Sequence, residues 1–236
     1  MSEAFRIALV AEGPTDYEVI HAALNAILSN PFIMIPLQPE STQPRLGGGW
    51  GGVLKWCYEA HQRHRGPWHD DPTLVNFDLL IIHVDVDVAF KQYSDCGSTV
   101  VTWAKDNAWP QLPCGMSCPP VSDTVDALEM VIKSWLGLVE LGDRALLCLP
   151  AQSSGTWLAA ALLNQTHSLL AQAECNPNVE SGLAVLPKAE RIKKNLRAYR
   201  THAPILTQQW QQVKQICSQA EQFEAMILNI CDRPTP

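Results

Sequence analysis

The chain has 236 residues, of which 47% are hydrophobic and 17% are charged, and its formal net charge is −7 at pH 7. This length and apolar content suit one large domain with a full hydrophobic core. No apolar run approaches the roughly 20 residues that a membrane-spanning helix needs, so we expect a soluble, cytoplasmic protein with no membrane partner. The acidic balance argues against a protein whose main task is to coat nucleic acid.

Charge is distributed unevenly along the chain. Residues 188–236 contain eight Lys or Arg against four Asp or Glu, a balance of +4, whereas residues 1–187 contain 9 basic and 20 acidic residues, a balance of −11. An acidic body followed by a basic segment fits a metal site that is served by a separate anion-binding surface.

Eight cysteines are present. Several lie in apolar periodic segments, and most are expected to be reduced side chains of the core. Cys96, Cys114 and Cys118 fall in one loop region. The C-x3-C spacing of the last two leaves a zinc site as an alternative, although a fourth ligand is not evident.

The first 40 residues predict a strand, a tight turn, a helix and a second strand. The apolar run 5–11 is typical of a strand that helices cover on both faces, and it breaks at Glu12-Gly13. Apolar residues at helical spacing follow, with Thr15 or Asp16 placed to cap the start. The second strand, 32–37, is expected near a sheet edge because Pro36 cannot donate a backbone hydrogen bond.

A glycine cluster at 47–52 comes next. It lacks the Lys-Ser/Thr of a P-loop, which predicts a flexible loop leading into a helix over 53–64, with substrate contact as an alternative. A third strand, 78–84, runs directly into Asp85-Val86-Asp87. Residues 90–121 contain two tryptophans and three cysteines, which indicates an ordered but irregular insertion.

The remaining pattern predicts a helix that Ser122 caps, a fourth strand over 144–150, a helix from about 156 to 170, and helices over 188–199 and 205–230. Strands that alternate with helices predict a three-layer α/β fold around a mostly parallel sheet of about four strands. We expect residues 1–187 to form this domain and residues 188–236 to form a basic helical extension packed on it.

Acidic side chains follow two of these strands. Ligands of open α/β sheets bind at the carboxyl ends of the strands, where Glu12 follows the first strand and Asp85 and Asp87 follow the third. Alternation along an extended chain predicts that the two aspartates point to the same side, and Asp16 lies one helical turn beyond Glu12. We expect these four to hold Mg²⁺ or Mn²⁺, with positions left for a phosphate oxygen and an activated water. The alternative is that they are ordinary turn and cap residues.

At these residues the sequence resembles the Toprim catalytic domain of topoisomerases, primases and the overcoming-lysogenization-defect (OLD) nucleases. The family's Glu-Gly turn is present as Ala-Leu-Val-Ala-Glu12-Gly13, and its Asp-x-Asp is present as Asp85-Val86-Asp87. Asp16 matches the acidic residue that OLD-like nucleases tend to carry four positions after the glutamate. The resemblance covers about the first 90 residues and, more loosely, the fourth strand. It implies a Toprim-like, Rossmann-like fold and metal-dependent phosphate chemistry.

The sequence is also similar to small standalone Toprim-like proteins of bacteria, some of which are encoded beside ATPases in phage-defence loci. Trp157-Leu158 and Pro187-Lys188 match elements of that pattern, but Thr156 stands where the pattern has a glutamate. This departure puts a second metal in doubt, and it leaves open a one-metal enzyme or a chain that has lost activity.

A cation has to neutralise the charge that builds on a phosphate during its hydrolysis. Lys188, in the turn after Pro187, is the preferred catalytic lysine, and Lys193, Lys194 and Arg197 are predicted to bind substrate. The alternative is that these last three belong to the solvated face of a helix.

Together these features predict a divalent-metal-dependent nuclease that hydrolyses phosphodiester bonds, with Glu12, Asp85, Asp87 and Lys188 as catalytic residues. DNA is favoured over RNA, and a role as the effector of an anti-phage system is implied by the resemblance. The alternative is a weak or inactive Toprim-like subunit that docks on an ATPase or senses a nucleotide, and a homo-oligomer is compatible with both.

For His83, inside the third strand, a satisfied core histidine is favoured over one that orients a carboxylate or binds substrate.

Overall fold

The computed structural model of the chain describes residues 4–40, 45–66, 70–137, 141–188 and 190–232. Its centre is a four-stranded sheet made of Phe5–Val10 (β1), Phe32–Gln38 (β2), Leu79–His83 (β3) and Ala145–Cys148 (β4). The strands lie in the order β2-β1-β3-β4, and every neighbouring pair is parallel. The predicted three-layer α/β fold is confirmed, and β2 lies at a sheet edge as Pro36 indicated.

The helices of the described segments are Pro14–Ile27 (α1), Gly49–Arg63 (α2), Ser98–Asp106 (α3), Ser122–Trp135 (α4), Ser154–Leu162 (α5), Val179–Leu183 (α6), Leu196–Gln208 (α7), Trp210–Ile216 (α8) and Ser218–Cys231 (α9). None of these nine helices is long and apolar enough to cross a bilayer.

The strands bury side chains on both faces, because successive side chains of a pleated strand point to opposite sides. In β1, Ile7 and Leu9 face one layer of helices, whereas Ala8 and Val10 face the other. The first layer consists of α1 and α5–α9, and the second consists of α2–α4. Such continuous apolar strands are expected where helices cover a parallel sheet on both sides.

Helices α7–α9 belong to the same core as the rest of the first layer. Trp157 of α5 is fully buried, and its ring centroid lies 5.4 Å from that of Trp210 and 5.6 Å from that of Phe223. Arg200 of α7 pairs with Glu18 of α1 at 2.8 Å. The C-terminal helices therefore pack on α1 and α5, the two helices of this layer that directly follow β1 and β4.

The prediction of a loop over the glycine cluster is wrong in part, because α2 already begins at Gly49. Gly47 and Gly49 have φ angles of +80° and +69°, a region that favours glycine, so the chain can turn sharply into the helix. The backbone N–H of Gly49 donates to the carbonyl oxygen of Glu12 at 2.8 Å. The cluster thus places the start of α2 beside the turn that follows β1.

Several predicted boundaries are also corrected. The insertion 90–121 is not irregular throughout, because it contains α3, preceded by a short 3-10 helix at Tyr93–Cys96. The helix after β4 ends at Leu162, and Ser122 makes no capping hydrogen bond. The predicted helix 188–199 begins only with α7, where the side chain of Asn195 accepts a hydrogen bond from the N–H of Ala198 at 3.0 Å. The single helix predicted over 205–230 is interrupted between α7 and α8 and again between α8 and α9.

Cys118 and Cys175 form a disulfide bond between positions that are 57 residues apart in sequence. The other six cysteines are free, and Cys57, Cys148 and Cys217 among them are buried, which confirms the expectation of core thiols for these three. Cys118 is not available as a thiolate beside Cys114, so the zinc alternative at this pair has no support.

Replacing both Cys118 and Cys175 with serine should lower the free energy of unfolding by up to about 4 kcal/mol, because the cross-link restricts the unfolded chain over a long loop. Denaturation by urea measures this loss, with Cys231→Ser at an exposed free cysteine as the control. Alkylation of the denatured chain should modify six cysteines before reduction and all eight after it. Eight reactive thiols before reduction would contradict the cross-link.

Candidate metal centre

The carboxyl ends of β1, β3 and β4 open onto one site. Glu12 follows β1, Asp16 lies in the first turn of α1, His83 is the last residue of β3, and Asp85 lies two residues beyond it. The segment after β4 reaches the site at Ser154, the first residue of α5. This is the edge at which parallel α/β sheets bind their ligands.

Asp16, His83 and Asp85, hereafter the metal cluster, form the group of described side chains best placed to hold a metal ion. One donor atom from each lies within 4.8 Å of the others, and all three residues are buried. Two carboxylates and an imidazole are a set of O and N donors that divalent metal ions accept. The structure thus brings two of the predicted acidic ligands together with a histidine.

Ser154 ties the two carboxylates to the start of α5. Its backbone N–H donates to Oδ1 of Asp85 at 2.8 Å, and its hydroxyl donates to Oδ1 of Asp16 at 2.6 Å. Oε1 of Glu12 accepts a hydrogen bond from the backbone N–H of Asp85 at 2.9 Å. These hydrogen bonds fix three acidic side chains that come from three different segments of the chain.

Asp87 does not lie beside Asp85 in the way that the sequence indicates. The chain enters a 3-10 helix at Val86, so the extended alternation on which that prediction rested is lost. The Asp87 side chain is 43% exposed and pairs with Lys91 at 3.2 Å. The expectation that both aspartates point to one side is wrong, whereas a ligand role for Asp87 stays a prediction.

His83 is fully buried and contacts the site directly. Its Nε2 lies 3.2 Å from Oδ1 of Asp85, at ion-pair distance, but the ring N–H is not aligned for a hydrogen bond. Its Nδ1 has no hydrogen-bond partner among the described residues either. Because buried polar atoms are almost always paired, an Nδ1 without a partner among the described residues argues against the satisfied core histidine that the sequence favours. A buried imidazole with one free ring nitrogen beside two carboxylates fits the position of a metal ligand.

The charges of the site are poorly compensated without a cation. Burial, with the neighbouring charge of Asp85, raises the pKa of Glu12 to about 8, and burial, with the charge of Asp16, raises the pKa of Asp85 to about 6. Burial lowers the pKa of His83, but the three carboxylates outweigh it and raise that pKa to about 9. Near neutral pH the metal-free site therefore holds protons on Glu12 and His83 that a divalent cation would displace.

Lys194 and Tyr199 approach the site from the region of α7. Nζ of Lys194 donates to Oε2 of Glu180 at 2.8 Å, and the hydroxyl of Tyr199 donates to Oε1 of the same carboxylate. Burial lowers the pKa of Lys194, but Glu180 and the charges of Asp85 and Asp16 outweigh it and raise that pKa above its ordinary value. Half of the Lys194 side chain is exposed, so this residue is partly open to solvent while its charge interacts with the buried carboxylates.

The other predicted basic residues lie elsewhere. Lys188, Lys193 and Arg197 are exposed, and the two lysines at 193 and 194 precede α7, so the helical face expected for them does not form. Lys194, predicted only to bind substrate, is the lysine that interacts with the metal cluster. The catalytic role assigned to Lys188 stays a prediction.

The sequence patterns do not predict three residues of the site, which are Ser154, Glu180 and Tyr199. Ser154 follows the fourth strand at the functional edge, and that position is a signal that points to it. Glu180 and Tyr199 carry no motif. Only the packing of α6 and α7 against α5 brings them to the site.

Comparisons with known proteins identify no relative. No family model matches the chain, and neither the curated proteins nor the solved structures gave a significant match. The fold and the cluster define the protein at the level of its class, which is a three-layer α/β protein with a candidate metal-binding group at the carboxyl edge of a parallel sheet.

The free energy of unfolding of the metal-free protein should fall as the pH rises from 6.5 to about 9. The folded-state pKa values of His83 and Glu12 are raised, so the folded chain binds more protons than the unfolded chain in this range, and stability is lost as those protons leave. Urea denaturation at a series of pH values measures the slope, and saturating Mn²⁺ should flatten or reverse it. A slope that Mn²⁺ leaves unchanged would contradict the site.

Asp85→Asn and Asp87→Asn are a matched pair of variants for the ligand set. Asp85→Asn should weaken Mn²⁺ binding at least about tenfold, whereas Asp87→Asn, at a half-exposed side chain, should weaken it less than about threefold. Titration calorimetry on folded protein gives both dissociation constants. Equal losses would make Asp87 a ligand, and full binding by Asp85→Asn would exclude the cluster as the metal site.

Proposed function

We propose that the protein is a divalent-metal-dependent phosphodiesterase that hydrolyses nucleic acid. The observation that carries this proposal is the metal cluster at the carboxyl edge of the sheet, with two carboxylates that interact electrostatically with Lys194. Phosphate hydrolysis needs fixed positive charge where negative charge builds on the phosphate oxygens. The Toprim resemblance of Glu12-Gly13 and Asp85-Val86-Asp87 points to the same chemistry.

The metal cluster fits a divalent cation. Asp16, His83 and Asp85 would hold it, and the Nδ1 of His83, which has no hydrogen-bond partner among the described residues, supports this assignment. When bound, the ion supplies positive charge to the phosphate and lowers the pKa of a water molecule. Because imidazole suits transition-metal ions better than Mg²⁺, we propose Mn²⁺ as the better activator of the two.

Lys194 would stabilise the negative charge on the phosphate. Its raised pKa keeps the ammonium charged across the physiological range, and half of its side chain is open to an incoming substrate. Glu12 would accept a proton from the attacking water. Its carboxyl accepts a hydrogen bond from the backbone N–H of Asp85, and a bound cation would release the proton that the raised pKa of Glu12 retains, which leaves a carboxylate that can act as a general base.

The rim beside Glu12 suits a polymer backbone. Gly47, Gly48 and Gly49 lead into α2 there, and the N–H of Gly49 contacts the carbonyl of Glu12. A rim without side chains lets a bulky phosphate chain approach the carboxylates closely. This supports nucleic acid as the substrate, with DNA proposed ahead of RNA.

Two wider proposals rest on the resemblance alone. One is a role as the effector of an anti-phage system with an ATPase partner. The other is a docking subunit without activity, which the threonine at position 156 favours because the pattern has a glutamate there.

Cleavage of plasmid, single-stranded DNA and RNA in Mn²⁺, and its absence in EDTA, tests the proposed activity. At an Mn²⁺ concentration that fills the metal cluster alone, Lys194→Met should lower kcat at least about 100-fold, because one preorganised donor to the developing charge is removed. Lys105→Met, at an exposed lysine of α3, is the matched control and should lower kcat less than about threefold. Mn²⁺ binding without cleavage of any substrate would favour the inactive docking subunit.

A further inference from the structure

Glu180 brings an acidic group close to the position where the sequence lacks one. A Cβ added to Gly155 would lie 2.5 Å from Oε1 of Glu180 and 2.7 Å from its carboxyl carbon, so the carboxylate packs directly on the first turn of α5. Gly155 stands between Ser154, which binds the carboxylates of the cluster, and Thr156. An acidic side chain from α6 is therefore adjacent to the place where the resemblance expects a glutamate.

Both oxygens of this carboxylate are already engaged. Oε2 accepts from Nζ of Lys194 at 2.8 Å, and Oε1 accepts from the hydroxyl of Tyr199. Tyr199 is only 1% exposed, so packing fixes the position of its hydroxyl. An ammonium at this distance balances the charge of Glu180 and repels a divalent ion from it.

Lys194 interacts with acidic groups on two sides. Glu180 contacts it directly, and the charges of Asp85 and Asp16 act on it from the metal cluster. In a two-metal phosphodiesterase a second cation lies between two such sets of carboxylates and neutralises the reacting phosphate. Here the ammonium of Lys194 contacts one acidic group, Glu180, and interacts electrostatically with the other, the carboxylates of the cluster.

We propose that Lys194 serves as a built-in second cation, held in place by Glu180 and Tyr199, so that the protein works with one divalent ion. This inference rests on the proposed metal site and specifies how many divalent ions each chain binds there. Glu180 and Tyr199 are positioning residues, because they act on the phosphate through Lys194 and not by contact with it.

The number of Mn²⁺ ions bound per chain tests the inference without any assay of activity. Titration calorimetry should give one ion for the wild-type protein and two for Lys194→Met, because the freed carboxylate of Glu180 then accepts the second ion. Lys194→Arg keeps the positive charge and should return the count to one. Lys105→Met, at an exposed lysine of α3, should also bind one.

The double variant Lys194→Met with Glu180→Gln locates the second ion. It should bind one Mn²⁺, because the carboxylate that accepted the second ion is gone. Circular dichroism confirms folding, and the comparison of Lys194→Met with Lys194→Arg decides the question even if the double variant does not fold. Two ions in the wild type, or one in Lys194→Met, would overturn the inference while leaving the metal site intact.

Steady-state kinetics separate positioning from structural support. Glu180→Gln should lower kcat about tenfold with KM changed less than about threefold, because Lys194 keeps its charge but loses its fixed place. Tyr199→Phe, which removes only a hydroxyl, should act in the same direction and less strongly. An unchanged kcat in both variants contradicts the positioning role. Wild-type protein that binds no Mn²⁺ overturns the proposed function and this inference together.

Discussion

Carboxylates that are buried close together repel one another and lose their hydration. The architecture of the site follows from this constraint. Ser154 offsets this repulsion and loss of hydration by donating two hydrogen bonds, one to Asp85 and one to Asp16. The backbone N–H of Asp85 serves Glu12 in the same way. These contacts require β1, β3 and the start of α5 to meet within hydrogen-bond reach, so the parallel order of the sheet and the electrostatics of its edge depend on each other.

The sequence was sufficient for the fold and for about half of the site. Apolar runs identify the four strands because both faces of the sheet are buried, and the position of Glu12, Asp16 and Asp85 after two of those runs identifies the functional edge. The expectation that Asp87 points to the same side as Asp85 failed for a local reason. Alternation holds only in extended chain, and the backbone becomes a 3-10 helix at Val86.

The other half of the site depends on tertiary packing. Lys188 and Lys194 are indistinguishable as residue types, and nothing in their spacing reveals that only the second pairs with Glu180. Glu180 in turn reaches α5 because Gly155 has no side chain to exclude it. Periodic patterns in the sequence cannot predict contacts between segments that are distant in sequence and carry no motif. The same limitation explains the C-terminal helices, whose apolar stripe continues across two interruptions of the helix.

The disulfide has a mechanical consequence for the site. Cys118 belongs to the layer of α2–α4, whereas Cys175 lies in the segment whose Glu174 carbonyl accepts a hydrogen bond from Gln152 at 2.9 Å, just before α5. The bond therefore crosses from one layer to the other beyond the carboxyl edge of the sheet. A covalent link in this position limits how far the two helical layers can move apart on the side of the sheet where the acidic residues lie.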